Sequence, residues 1–315
     1  MFLVTNSTQV SFSFLLTGIP GFESAHVWIS IPFCCLYAIS MVGNASILAV
    51  IGTEPALRQP MYLFLSMLAL TDLGLTLTTL PTVMPLLWFD VREISFEGCF
   101  AQFFFLHAFS FMESSVLLAM AFDRYVAICR PLHYATILTH EVICRIGLAI
   151  IGRCLLAVLP PLFLLKRLPF CGSRRLSHSY CLHQDMTRLA CADTTRNNWH
   201  GFVLALLITV LDPLLIGLSY VLILRSVLRI GSRLERLRVL NNCLSHILAV
   251  LIFYVPMVGV SMTHRFAKRA SPIVHVSIAN IYLLAPPVMN PIIYSVKTKQ
   301  VRQGILHLCA HRQLQ

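Results

Sequence analysis

Between about residue 27 and residue 295 the chain alternates long apolar runs with short polar stretches. Seven runs reach about 20 residues or more, the length needed to cross about 30 Å of hydrocarbon at 1.5 Å rise per residue. They predict helices over about 27–51, 60–84, 99–128, 142–165, 199–225, 239–263 and 272–295. A short basic amphipathic segment at about 298–310 predicts one more helix after the last span. The apolar residues come in runs, without the dyad alternation of barrel strands. The expected fold class is therefore an all-α membrane protein, a seven-transmembrane helix bundle. No internal repeat and no mirrored halves are visible. The expected organisation is an outer segment at 1–26, a helical domain at 27–295 and an inner tail at 296–315.

Composition strengthens this picture. The chain is 57% hydrophobic and 12% charged, too few charges to cover a soluble domain of this length. Orientation follows from three weaker signals. Lys and Arg are in slight excess on the side that would face the cytosol if the N-terminus lies outside. Asn6-Ser7-Thr8 is a glycosylation acceptor usable only on the lumenal side. Cys99, Cys171, Cys181 and Cys191 fall on that same side, where an oxidising compartment would pair them. Residues 1–26 carry no Lys or Arg and no clear cleavage site, so the first span is expected to act as its own insertion signal. The expected orientation is N-terminus extracellular, C-terminus cytoplasmic. Asn44-Ala45-Ser46 is also an acceptor triplet, but it falls inside span 1. No HExxH, GxSxG, P-loop or dinucleotide turn occurs, so no enzyme is indicated.

The charged residues inside the spans carry the functional signal, because they are expensive there. The 25 residues from Cys99 to Arg124 span roughly 37 Å of helix. Asp123 and Arg124 therefore arrive at the cytoplasmic rim, where Arg124 either snorkels to headgroups or belongs to a switch. Glu113 and Asp72 share a depth, roughly 16 to 18 Å above that rim. Two carboxylates that close need a shared proton or a cation between them. Asp212 precedes Pro213 deep in span 5 and is assigned no role beyond capping the break made by the proline. Arg225, Arg229 and Arg233 recur every four residues and predict a basic stripe continuing span 5 into the cytosol, beside Arg236 and Arg238. A transporter using the intramembrane acids as a proton or ion relay is the alternative class.

"MAFDRYVAIC" at 120–129 resembles the span-3 signature of odorant receptors, a branch of the rhodopsin-like G-protein-coupled receptors. The likeness extends through Gly43-Asn44, "PMYLFLSMLALTD" at 60–72, Ser219-Tyr220, "CLSH" at 243–246 and "PPVMNPIIY" at 286–294. The opening "LLTGIPGFES" and "HRF" at 264–266 resemble the class I, fish-like subgroup. Arg58 and "RVLNNC" at 238–243 depart from the usual pattern, both on the inner face.

The resemblance implies a switch of Asp123, Arg124, Tyr125, Tyr220, Arg238 and Tyr294 facing a heterotrimeric G protein of the stimulatory, olfactory type. It implies an allosteric sodium ion on Asp72 and Glu113, with Asn44, Asn290 and Pro291 completing a polar layer. It implies disulfides Cys99–Cys181 and Cys171–Cys191, whereas spacing alone allows three connectivities. Metal binding by the interleaved His178, Cys181 and His183 is the rival use of that loop. It also implies a small-molecule odorant, a multi-pass protein of the plasma membrane of olfactory cilia, and no nucleic acid. A loop tied at Cys181 would lay His183 and Gln184 over the bundle mouth. His107, about 12 Å below Cys99, and Ser261, one turn before Arg265, would converge there with Phe103, Phe104, Met257 and Val258. Arg265 and the basic outer loops favour a carboxylate-bearing ligand. Headgroup snorkelling of Arg265, or a neutral polar odorant, are the other readings.

Overall fold

The computed structural model describes residues 13–19, 21, 22, 25–171, 174–266 and 271–312, without the side chains of 264–266, 272 and 308–312. In chain order the elements are strand β1 (Ser13–Leu15), α1 (His26–Thr53), α2 (Pro60–Phe89), strand β2 (Glu93–Ser95), α3 (Phe96–Cys129), short α4 (Tyr134–Ile137) and α5 (His140–Lys166). Then follow α6 (His183–Leu189), α7 (Thr195–Leu206), a π-helical turn (Leu207–Leu211), α8 (Asp212–Leu228), α9 (Arg233–Phe266), α10 (Pro272–Lys297) and α11 (Lys299–Arg312). Among the described residues, seven helices are long and apolar enough to cross a membrane, α7 and α8 counting as one through the π turn.

Local chemistry sets the helix ends. Ser95 accepts a hydrogen bond from the Gly98 amide at 3.1 Å and starts α3; Thr139 does the same for Val142 at 3.3 Å and starts α5. Pro60 and Pro272 stand in the first turns of α2 and α10, where a missing N–H costs nothing. Pro81 and Pro85 do not end α2, which runs five residues past the expected limit to Phe89 and stops where Asp90 takes a left-handed conformation at φ 51°. Prolines are tolerated inside such helices because neighbours satisfy the freed carbonyls. Asn44 is one such neighbour. Pro291 has no N–H for the Pro287 carbonyl, and the Asn44 amide donates to it at 2.9 Å, tying α1 to α10.

Ser232 corrects the expected basic stripe. Its hydroxyl accepts from the Glu235 amide at 3.4 Å, and α9 begins at Arg233. Since α8 ends at Leu228, Arg225 belongs to span 5, Arg229 lies past its end, and Arg233, Arg236 and Arg238 belong to span 6.

α3 runs through the middle of the bundle, packed on α2, α5, α8 and α9. The outer surface is closed by a small sheet. β1 pairs antiparallel with β2 in the register Ser13↔Ser95, Phe14↔Ile94, Leu15↔Glu93. On its other edge Leu15 exchanges backbone hydrogen bonds with the loop after α5, to Arg174 and from Leu176, both at 2.8 Å. Phe14, fully buried, anchors this cap against the rings of Phe96 and Phe170.

Candidate functional site

At the inner rim Arg124 lies 3.3 Å from Asp123, and the Tyr134 hydroxyl of α4 donates to the other Asp123 oxygen at 2.7 Å. Asp123 is 1% exposed and Arg124 16%, so the pair is set into the bundle and not spread on its surface. His246 bridges three spans. Its Nε2 lies 2.9 Å from the Leu117 carbonyl, which can only accept, so Nε2 carries the proton. Nδ1 then accepts from the Tyr220 hydroxyl at 2.7 Å. Tyr125 packs with Ile223, Val227 and Cys243, Tyr294 is buried, and Arg238 is exposed. His246 closes the "CLSH" stretch at 243–246, but neither it nor Tyr134 is assigned a role by the sequence; only the fold brings them to these partners.

Midway across, Asp72 and Glu113 meet at one amide. Asn290 Nδ2 donates to Asp72 at 3.0 Å and lies 3.4 Å from Glu113. All three residues are buried, and Asn290 Oδ1 has no hydrogen-bond partner. Asn290 turns its nitrogen to both acids, and the two buried carboxylates are the hard oxygens that fit a small hard cation. Asn44, expected in this layer, turns instead to the Ser40 and Pro287 carbonyls.

Asp212 does more than cap a break. Arg153 of α5 reaches both its oxygens at 2.9 Å and donates to Ser115 at 2.8 Å. Ser114 donates to Asp212 at 2.5 Å, so its oxygen is left to accept from the Tyr254 hydroxyl at 2.9 Å. The chain Tyr254, Ser114, Asp212, Arg153 thus links α9, α3, α8 and α5 through one buried carboxylate. Arg153 carries a signal in the sequence that loop charges do not: it is a lone cation in the middle of an apolar span.

Above this network lies a cavity of about 560 Å³. Phe103, His107, His183, Gln184, Met257 and Ser261 line it, with Phe111, Val158, Leu204 and Ile208 supplying apolar wall. Phe104 and Val258, expected in the lining, are not among its walls: Phe104 packs against Phe105. The side chain of Arg265 and the acceptor Asn6 lie outside the described residues. The roof is held by bonds Cys99–Cys181 and Cys171–Cys191. It is held too by Gln102, which accepts from the Cys181 amide at 2.9 Å, and by Tyr180, whose hydroxyl donates to the Ala279 carbonyl at 2.8 Å.

His183 enters the cavity between Phe103 and Gly201; a Cβ at Gly201 would lie 3.0 Å from its ring. Burial, helped by the neighbouring His107, holds the His183 imidazole down at about 4, so it is neutral at physiological pH. His178 is turned to Asp185 at 2.6 Å and Cys181 is bonded to Cys99, so His178, Cys181 and His183 do not converge on a metal. Among the described residues no cluster of three or more His, Cys, Asp or Glu is placed to hold one.

Known proteins give the chain its family. The family model described as "Olfactory receptor" matches residues 33–312. Human Olfactory receptor 51Q1 is 73% identical over 304 residues, covering 96% of both chains, and human Olfactory receptor 51G2 is 58% identical over 305 residues, covering 97% of both. Squid rhodopsin superposes with a TM-score of 0.71 at 19% identity, over 90% of this chain and 85% of its own, and shares the fold. These relatives are signalling receptors, which leaves no support for the transporter alternative. A multi-pass seven-helix bundle with an Asp-Arg pair at its inner rim and a roofed cavity at its outer end, the chain belongs to the olfactory receptor family, a branch of the G-protein-coupled receptors.

Proposed function

We propose that this receptor takes a small carboxylate-bearing or polar odorant into its outer cavity. We infer that it then activates a stimulatory, olfactory-type G protein and raises cAMP, working from the plasma membrane of olfactory cilia. The observation that carries the ligand class is the continuity of α9: Ser261 lines the cavity, and the helix runs on through Phe266, bringing Arg265 one turn above it. A guanidinium there offers a carboxylate two parallel charge-assisted hydrogen bonds. His183, neutral at physiological pH, and His107 complement it as hydrogen-bonding groups. His107 Nδ1 faces the Phe103 carbonyl at 2.9 Å, which leaves its Nε2 as an acceptor for a hydroxyl or a protonated acid.

The same helix joins ligand to switch. Met257 touches the cavity, Tyr254 one turn below is hydrogen-bonded to Ser114, and His246 further in is bonded to Tyr220 and the Leu117 carbonyl. A ligand that draws on the outer end of α9 works against these bonds. A G protein that engages Arg124, Arg238 and the inner ends of α8 and α9 favours the alternative packing. Each partner then strengthens the other's binding, typically by about 1–3 kcal/mol. Sodium at Asp72, Glu113 and Asn290 would supply positive charge to the middle layer and favour the resting packing. An Asp72→Asn receptor whose agonist binding stayed sodium-sensitive would remove that ion.

The deciding measurement is a cAMP assay comparing short carboxylic acids with matched alcohols and esters, each signal normalised to receptor at the cell surface. Acids are expected to activate best, and Arg265→Ala to lower acid potency by about tenfold or more, the scale of one lost charge-assisted contact. Acid responses that survive Arg265→Ala unchanged would overturn the anchor.

A further inference from the structure

The proposed function uses the polar groups that α3, α6 and α9 bring to the cavity, but the wall has a second polar side. Arg188, in the last turn of α6, lines the cavity together with Thr194 and Asn198 at the start of span 5. Among the described residues Arg188 has no ion-pair partner, and the two acids nearest in the loop are committed elsewhere. Asp185 accepts from the Ser177 amide at 3.0 Å and pairs with His178, while Asp193 accepts from the amide and hydroxyl of Thr195. An arginine on a cavity wall with its acidic neighbours turned away leaves positive charge for whatever enters.

Two further groups point the same way. Asn198 donates to the Thr194 oxygen at 3.1 Å, so the Thr194 hydroxyl proton and the second Asn198 amide proton are left for an anion. His183, buried in the same wall, has an Nε2 with no hydrogen-bond partner. The apolar residues Phe111, Val158, Leu204 and Ile208 complete the lining, and about 560 Å³ is in the range of pockets that hold whole drug-sized molecules. The space suits a hydrocarbon chain with a polar group at each end.

We propose that Arg188, with Thr194 and Asn198, forms a second anion subsite, so that the receptor responds to α,ω-dicarboxylates as well as to monoacids. This rests on the reading of the cavity as an acid-binding site, with Ser261 and Arg265 holding the first carboxylate. Arg188 holds the second by a bidentate contact, and the aliphatic chain lies along the apolar wall.

The test uses the full-length receptor in the cAMP assay, with surface delivery measured for every variant. The probes are the dicarboxylates from succinate to sebacate, their monomethyl esters and the matched monoacids. Wild-type receptor is expected to respond to dicarboxylates with an optimum chain length, and Arg188→Gln to weaken that response by about tenfold or more, leaving monoacids and monoesters nearly unmoved. Arg188→Lys should restore part of the loss, which a purely structural defect would not show. Three results overturn the proposal while leaving the acid reading standing: monoacids active with no dicarboxylate active, a dicarboxylate response unmoved in Arg188→Gln, or all three ligand classes weakened alike. A receptor silent to every acid but active with alcohols at normal surface delivery removes both.

Discussion

Arg153 and Asp212 bury their opposite charges unequally: the Arg153 side chain is 31% exposed and that of Asp212 only 2%. Removing the arginine strands a carboxylate with no route to water, whereas Asp212→Asn leaves a partly exposed guanidinium and an amide that still accepts from it. Breaking a buried pair costs about 3–5 kcal/mol when the remaining charge is trapped. Arg153→Met is therefore expected to lower the thermal midpoint of purified receptor more than Asp212→Asn, and the double variant to recover part of the loss. Equal or reversed effects of the single changes would contradict this account of the network. At the roof, His183 gives a pH dependence. Its folded value of about 4 lies below the ordinary 6.5, so between those values the unfolded chain binds a proton that the folded chain refuses. Stability from this residue is complete above pH 6.5 and falls as pH drops toward 4, by up to about 3 kcal/mol. Thermal unfolding at pH 6.5 and 4.5 should show a smaller acid loss in His183→Phe than in wild type; identical slopes would remove His183 from the explanation.

Between elements, contact depends on what is missing as much as on what is present. Gly74 lets α2 and α3 close: a Cβ there would lie 2.3 Å from the Phe109 ring, far inside van der Waals contact. Gly74→Ala must displace that ring or separate the helices. Overpacking of this kind costs about 1–3 kcal/mol, so the purified protein should unfold several degrees lower, while Gly152→Ala, where nothing lies within 4 Å, should not. Equal midpoints for the two variants would show that Phe109 yields freely. The outer cap works at the same scale. β1 is the middle member of a pairing that joins β2 to the loop carrying Cys181, so residues 13–15 tie down the cavity roof alongside the disulfide.

Across the whole molecule, polar contacts follow α9 from the cavity inward, through Ser261, Tyr254 and His246, while Asp123, Arg124 and Tyr134 form a separate cluster at the inner end of α3. If the Asp123–Arg124 pair favours the resting packing, the Tyr134 hydroxyl does so too, by fixing one Asp123 oxygen. Tyr134→Phe removes that bond together with the hydroxyl's contact to the Met61 backbone, and keeps the ring. A loss of about 1 kcal/mol shifts a two-state balance about fivefold, so ligand-independent nucleotide exchange on a purified G protein should rise by roughly that factor. Exchange that stays at the wild-type basal level would mean that Tyr134 does not hold the latch.

The sequence by itself determined the number of spans, their approximate limits, the orientation, and the depth at which Asp72, Glu113, Asp123 and Arg124 lie. Spans and depths follow from apolar run length and a fixed rise per residue, which are properties of one helix at a time; the orientation follows from the Lys/Arg bias, the Asn6 acceptor and the placement of the cysteines. Motif resemblance named the cysteine pairs and much of the cavity. Tertiary structure decided which side chains meet across helices. It gave Asp212 to Arg153 and Ser114, His246 to Tyr220 and the Leu117 carbonyl, and Asn44 to the carbonyl freed by Pro291; it put Arg188 on the cavity wall and left Phe104 off it. Such pairings depend on the rotation and offset of neighbouring helices, set by many small packing contacts at once, and no local pattern in a single span encodes them.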